Sequence, residues 1–158
     1  MQPLDYLKTA EVLLASCKGK PSQASLCRAV SSAYYSLFHC LAKTCADLLM
    51  GGVGAAKSRE AWRQTYRALD HGAAKAACKH TAIVSLFPKP VEDFANAFVS
   101  LQVKRHTADY DPKAKFSKSE VKNDVLLARQ AIDDFGKATM KDRRAFAAHV
   151  LFRRRPET

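Results

Sequence analysis

Arg28-Ala29-Val30-Ser31-Ser32-Ala33-Tyr34-Tyr35-Ser36-Leu37-Phe38-His39 is the stretch on which the fold turns. Wound at about 100° per residue, it has two opposed faces. Leu26, Val30, Ala33, Leu37, Leu41, Thr44 and Leu48 make an apolar stripe of the kind that faces a core. Arg28, Ser32, Tyr35 and His39 fall within a wedge of roughly 60° on the other side. A helix that needed only solubility would carry Lys and Glu there. The wedge instead holds a guanidinium, a hydroxyl, a phenol and an imidazole, which reads either as a half-buried polar surface or as one wall of a site.

The same periodicity runs outward in both directions. Tyr6, Leu7, Ala10, Leu13 and Leu14 give a first helix from Pro3 to Ser16, and Gly19 with Pro21 breaks the chain after it. The second helix runs from Pro21 or Ser22 to Met50, where Gly51-Gly52-Val53-Gly54 ends it. A third is expected from Ser58 to Lys79 on the stripe Trp62, Tyr66, Leu69, Ala73 and Ala76. A fourth, from Val91 to Thr107, follows the Pro88–Pro90 loop, and Asp111-Pro112 stops it. A fifth starts at Ser117, which fits a capping box with Glu120, and carries Val121, Val125, Ala128, Ile132 and Phe135. A short basic helix from Lys141 to Phe152 closes the chain. No segment alternates in the strand period. The expectation is an all-α, antiparallel up-and-down bundle of about five helices over residues 1–140, with a short basic helix and tail over 141–158.

Composition agrees. The 158 residues suit one domain, 47 % are hydrophobic, and Gly and Pro number only six each. No apolar run approaches a membrane span and no signal pattern opens the chain, so a cytoplasmic, membrane-free protein is expected. Cys17, Cys27, Cys40, Cys45 and Cys78 include no C-x-x-C pair, so neither a disulfide framework nor a metal site is expected, and no cofactor. They read as small buried hydrophobes. The formal charge is +11 and the pI near 9.6. Such a chain attracts polyanions, RNA or DNA first among them, with acidic protein partners as the other class. The excess gathers at the end, where Lys137, Lys141, Arg143, Arg144, Arg153, Arg154 and Arg155 face only Asp142 and Glu157.

Several patterns are weaker than they look. Gly51 to Ser58 approaches a phosphate-binding loop, but Ala56 stands where a glycine is needed and no strand precedes it, so it reads as an interhelix loop. Arg143 and Arg144 stand six and five residues ahead of His149 but lie in an Arg-rich tail. In the fourth helix Arg105 extends the stripe of Val91, Phe94, Phe98 and Leu101, and Asp109 follows one turn later. An Arg on a buried stripe is costly unless paired, so either an Arg105–Asp109 bridge pins the helix end or Arg105 reaches a phosphate beside Asp109 and Tyr110. Arg59, Arg63 and Arg67 make a basic ridge ahead of His71.

RAVSSAYYSLFH (28–39), AWRQTYRALDHG (61–72) and RHTADY (105–110) together resemble the HEPN family, the nucleotide-binding domains of prokaryotes and higher eukaryotes, and are most similar to its small stand-alone bacterial branch. The resemblance implies a helical bundle that works as a homodimer, with a groove across two subunits. In the family's ribonucleases, cleavage is metal-independent and uses an Arg followed four to six residues later by a His. Here Tyr110 stands where that His belongs and His106 directly follows the Arg, leaving His39 or His71 to supply an imidazole. The resemblance therefore implies an RNA- or nucleotide-binding domain of a toxin–antitoxin or defence pair, with Arg28, Ser32, Tyr35, His71 and Asp109 at the ligand and Arg105, His39 and Tyr110 as catalytic candidates. The alternatives are an active endoribonuclease and, because related members with Tyr at this place resemble such proteins, a non-catalytic partner of a small nucleotidyltransferase.

Overall fold

The computed structural model describes residues 2–16 and 19–157. Helix accounts for 77 % of the described residues, with no strand among them. Eight helices are present among the described residues: α1 (Pro3–Ala15), α2 (Gln23–Met50), α3 (Arg59–Ala68), α4 (His71–Lys79), α5 (Thr81–Val84), α6 (Lys89–Tyr110), α7 (Lys118–Lys137) and α8 (Met140–Leu151). Most begin on a side chain that satisfies an orphan backbone N–H. Ser22, Ser58, Asp70, Ser117 and Thr139 accept from Ser25, Ala61, Ala73, Glu120 and Asp142 at 2.8–3.2 Å. At the far end of α2, Gly51 adopts φ +117°, a conformation that residues with a Cβ rarely take.

Four of these helices form an up-down-up-down bundle. Gln23 at the start of α2 exchanges hydrogen bonds with the backbone of Phe116, just before α7 (2.9 and 2.8 Å). Ser31 meets Asp109 and Tyr34 meets Phe98, so α2 and α6 run antiparallel. Lys104 meets Asp124 at 2.8 Å while Phe94 stacks on Phe135 at 4.4 Å, so α6 and α7 are antiparallel as well. Arg129 of α7 pairs with Glu11 of α1. The loop-linked α1 and α2 complete the square. α2 also packs against α3 and α8, so it is enclosed on nearly every side. Ala29 to Tyr34, Ser36 and Leu37 are all buried. The polar wedge read from the sequence is accordingly not a solvent face: Ser32 is buried, and Tyr35 and His39 are half-buried.

Two expectations change. The third helix is two: the chain bends at Leu69, and Asp70 caps a separate α4. The stripe that argued for continuity ended in Ala73 and Ala76, which are exposed, while Ala74 and Cys78 turn inward. Two alanines bury too little surface to hold a helix straight against a capping Asp. With the short α5, this raises the five helices expected over residues 1–140 to seven, and the short basic helix, α8, is the eighth. The segment set apart for its charge, 141–158, divides at Leu151. α8 belongs to the bundle: Phe146 is 0 % exposed and sits edge-on to Phe87 (5.5 Å) and Phe135 (5.9 Å). Residues 153–157 are exposed coil. Of the cysteines, Cys45 and Cys78 are buried, with thiols pushed up to about 12 by burial, so they are unreactive packing groups. Cys17 lies outside the described residues.

No helix among the described residues is long and apolar enough to cross a membrane. Charge is unevenly shared among the helices. α3, α4 and α8 are each net basic, whereas α6 and α7 hold equal numbers of basic and acidic residues and α1 is slightly acidic.

Candidate nucleotide-binding site

The first half of α2, the end of α6, the start of α1 and the inner faces of α3 and α4 meet around two histidines. His39 stacks flat on Tyr6 of α1, with centroids 4.7 Å apart and planes 2° apart. Its Nδ1 meets the Tyr66 hydroxyl of α3 at 2.5 Å. His71, the first residue of α4, stacks on Phe38 at 3.9 Å, and its Nδ1 meets the Tyr34 hydroxyl at 2.7 Å. Burial holds both phenols protonated, their pKa values raised. Burial also lowers both imidazoles, His39 further through the nearby His71 and His71 further through Arg105. A protonated phenol can donate to the facing Nδ1 of a neutral imidazole, and in that tautomer each ring carries its proton on Nε2. The ring of Tyr35 lies between the pair, 6.4 Å from His39 and 6.3 Å from His71.

Arg105 does not stand free. Its guanidinium carbon lies 5.2 Å from the Tyr34 ring centroid and 5.8 Å from that of Tyr35. Nη1 reaches Asp109 at 3.5 Å, and the Ser31 hydroxyl donates to the other oxygen of that carboxylate at 2.5 Å. The Arg105 side chain is 11 % exposed. The two sequence readings of this residue thus resolve in geometry: the bridge to Asp109 is present, and the cation is packed beneath two phenol rings.

The accessible cation is Arg28. Among the described residues it makes no ion pair, and it borders a groove of about 470 Å3 between α1 and α2, with Asp5, Tyr6, Thr9, Ser31, Ser32 and Tyr35. A groove of this size takes a small ligand. It offers a guanidinium for phosphate, hydroxyls for hydrogen bonds and two phenol rings for a base.

Comparison with protein-family models, curated proteins and solved structures finds no match to this chain. Geometry alone therefore sorts the expected site residues. Arg28, Ser32, Tyr35, His39, His71, Arg105 and Asp109 come together. Tyr110 does not: it is 67 % exposed and lies against His106, centroids 4.9 Å apart, at the outer end of α6. The Arg143, Arg144 and His149 set is occupied elsewhere, each side chain meeting a backbone carbonyl, of Ala138, Leu48 and Ala77 in turn. Lys57 folds back onto the Gly52 carbonyl at 2.6 Å, as an interhelix loop would have it. Sequence reasoning missed Tyr6, Tyr34, Tyr66 and Ser31. For Tyr34 a signal existed, because a phenol placed on a core-facing position needs a buried partner.

The neutral histidines give the site a pH signature. Their folded pKa values lie below the unfolded value of 6.5. The unfolded chain therefore binds more protons at mildly acid pH. Their contribution to stability is complete above 6.5 and is lost as pH falls through the folded values. The melting temperature should be lower at pH 5 than at pH 7.5, with a smaller difference in His71→Asn. Equal pH dependence in variant and wild type would show that His71 is not held neutral by the fold.

Proposed function

We propose that this protein is a HEPN-like RNA- or nucleotide-binding domain, acting within a toxin–antitoxin or defence pair, with the α1–α2 groove as its ligand site. The observation that carries this reading is the placement of Arg28, a cation without a partner among the described residues, at the mouth of a groove walled by Tyr6 and Tyr35. Phosphate at Arg28 and a base against the phenols is the chemistry those groups favour. The basic ridge of Arg59, Arg63 and Arg67 runs along α3, the helix whose Tyr66 binds His39. A strand leaving the groove over α3 thus meets positive charge.

Binding of a labelled single-stranded oligonucleotide, followed by anisotropy over a salt series, tests the reading. Log affinity should fall linearly with log salt, with a slope of about −0.7 for each phosphate neutralised. Arg28→Ala should weaken binding about tenfold at fixed salt and lower the slope by about one. Affinity indifferent to salt, or unchanged by Arg28→Ala, would remove the basis for the site.

Cleavage is the second reading. It rests on the two imidazoles flanking Tyr35, each with a ring nitrogen not taken by a phenol. A ribonuclease assay with chelator present, comparing wild type with His39→Ala, separates it from binding. The third reading, a nucleotidyltransferase partner, draws on the exposed phenol of Tyr110.

A further inference from the structure

We propose that the α1–α2 groove selects guanine, with the Asp5 carboxylate reading the edge of the base. The inference rests on the ligand site proposed above and names the base that this site prefers.

Asp5 is the only acid bordering the groove among the described residues. A carboxylate beside an Arg that holds phosphate lowers the affinity for any polyanion, so attraction by net charge gives it no role there. Its place in the fold leaves it largely unoccupied. Of the two acids on α1, Glu11 pairs with Arg129, whereas Asp5 meets Lys8 only at 3.7 Å, and that lysine is 72 % exposed. Such a pair contributes little. Asp5 Oδ2 accepts the backbone N–H of Gln2 at 2.8 Å, which fixes the carboxylate on the first turn of α1. Each oxygen has two lone pairs, so both can still accept from a ligand.

The neighbouring hydroxyls act in the same sense. Thr9 Oγ1 already donates to the Asp5 carbonyl at 3.0 Å, and Ser31 Oγ to Asp109 at 2.5 Å. Toward a ligand both present lone pairs and no proton. Together with the two oxygens of Asp5 they make a wall of acceptors, which calls for a ligand edge made of donors.

Among the four RNA bases, guanine alone sets two donors side by side, N1–H and the N2 amino group, at the spacing of a carboxylate's oxygens. Adenine and cytosine each set one amino donor beside a bare ring nitrogen, and uracil sets N3–H between two carbonyls. Against Asp5 each of these turns a lone pair toward an anionic oxygen. An aligned pair of hydrogen bonds discriminates against the wrong base by about tenfold or more. Asp5 directly precedes Tyr6, so a base laid against that ring meets the carboxylate with its edge while its phosphate goes to Arg28.

Equilibrium binding of the 5′-monophosphates of guanosine, inosine, adenosine, cytidine and uridine to the full chain, at one salt concentration, tests the proposal. All share a ribose and a phosphate, so only the base differs. The guanosine form should bind about tenfold more tightly than the adenosine, cytidine and uridine forms. The inosine form, which lacks the N2 amino group, should fall between. Asp5→Asn should abolish the preference for guanine and favour adenine or cytosine, because a carboxamide sets a donor beside an acceptor. Its carbonyl still accepts from Gln2, so the helical circular dichroism should be unchanged. A merely structural role for Asp5 would alter stability and leave the ratios between bases as they were. Equal binding of all the nucleotides, or a guanine preference that survives Asp5→Asn, would overturn the selectivity while leaving the groove as a site for phosphate and ring. Failure of every nucleotide to bind would overturn the groove itself, and this inference with it.

Discussion

Phe146→Ala should lower the melting temperature by about 10 °C. Removing a fully buried Phe costs about 3–5 kcal/mol through lost transfer energy and the cavity left behind. A domain of this size shifts by about 2–4 °C per kcal/mol. The site has little room to collapse, because Phe146 is held by Phe87, Phe94 and Phe135 at 5.5–6.4 Å from three separate segments. Thermal unfolding followed by circular dichroism reads the effect. A shift under about 2 °C, the range of ordinary surface changes, would mean that α8 is an appendage and not part of the core.

Arg105→Ala has the second-largest expected effect, a loss of about 2–3 kcal/mol. The ion pair with Asp109 is partly exposed and contributes at most about 1 kcal/mol. The contacts over Tyr34 and Tyr35 add about as much, and the buried alkyl stem supplies the rest. Asp109→Asn keeps the Ser31 hydrogen bond and removes only charge, so it should cost about 1 kcal/mol. Arg105→Lys should fall between them, because an ammonium cannot lie flat beneath a phenol ring while it reaches Asp109. RNA affinity of folded Arg105→Ala should change by less than about threefold, well below the effect of Arg28→Ala. Loss of binding with an unchanged melting temperature would reverse the roles assigned to the two arginines.

How far the sequence foretold this depended on how many elements a feature needs. The periods of α2, α6 and α7 are long, and their stripes of Leu, Val and Phe carry enough buried surface to decide the fold class. The break at Leu69 escaped because the stripe beyond it was alanine, which buries little and so cannot overrule the cap at Asp70. The helix of α8 was legible, expected from Lys141 to Phe152, but its burial was not, because its Lys and Arg residues drew attention from the single face shared by Phe146, Ala147 and Val150. In the site, Arg28, Ser32, Tyr35 and His39 lie on one helix and were legible as a wedge. The stack of Tyr6 on His39 and the bond from Tyr66 join three helices, and no spacing within one segment encodes them. Arg105–Asp109 was visible at one-turn spacing. Its cover by Tyr34 and Tyr35 was not, because that depends on how α2 turns against α6.

The proposed binding of nucleic acid on the side of α2, α3 and the α1–α2 groove, and not through net charge alone, is tested most directly by removing the same charge from two faces. Arg63→Ser/Arg67→Ser on α3 should weaken oligonucleotide binding at least about tenfold at physiological salt. Lys89→Ser/Lys137→Ser, at the ends of α6 and α7, should change it less than about twofold, though both variants lose two positive charges. Equal losses in the two variants would show diffuse charge attraction with no site, and contradict the account.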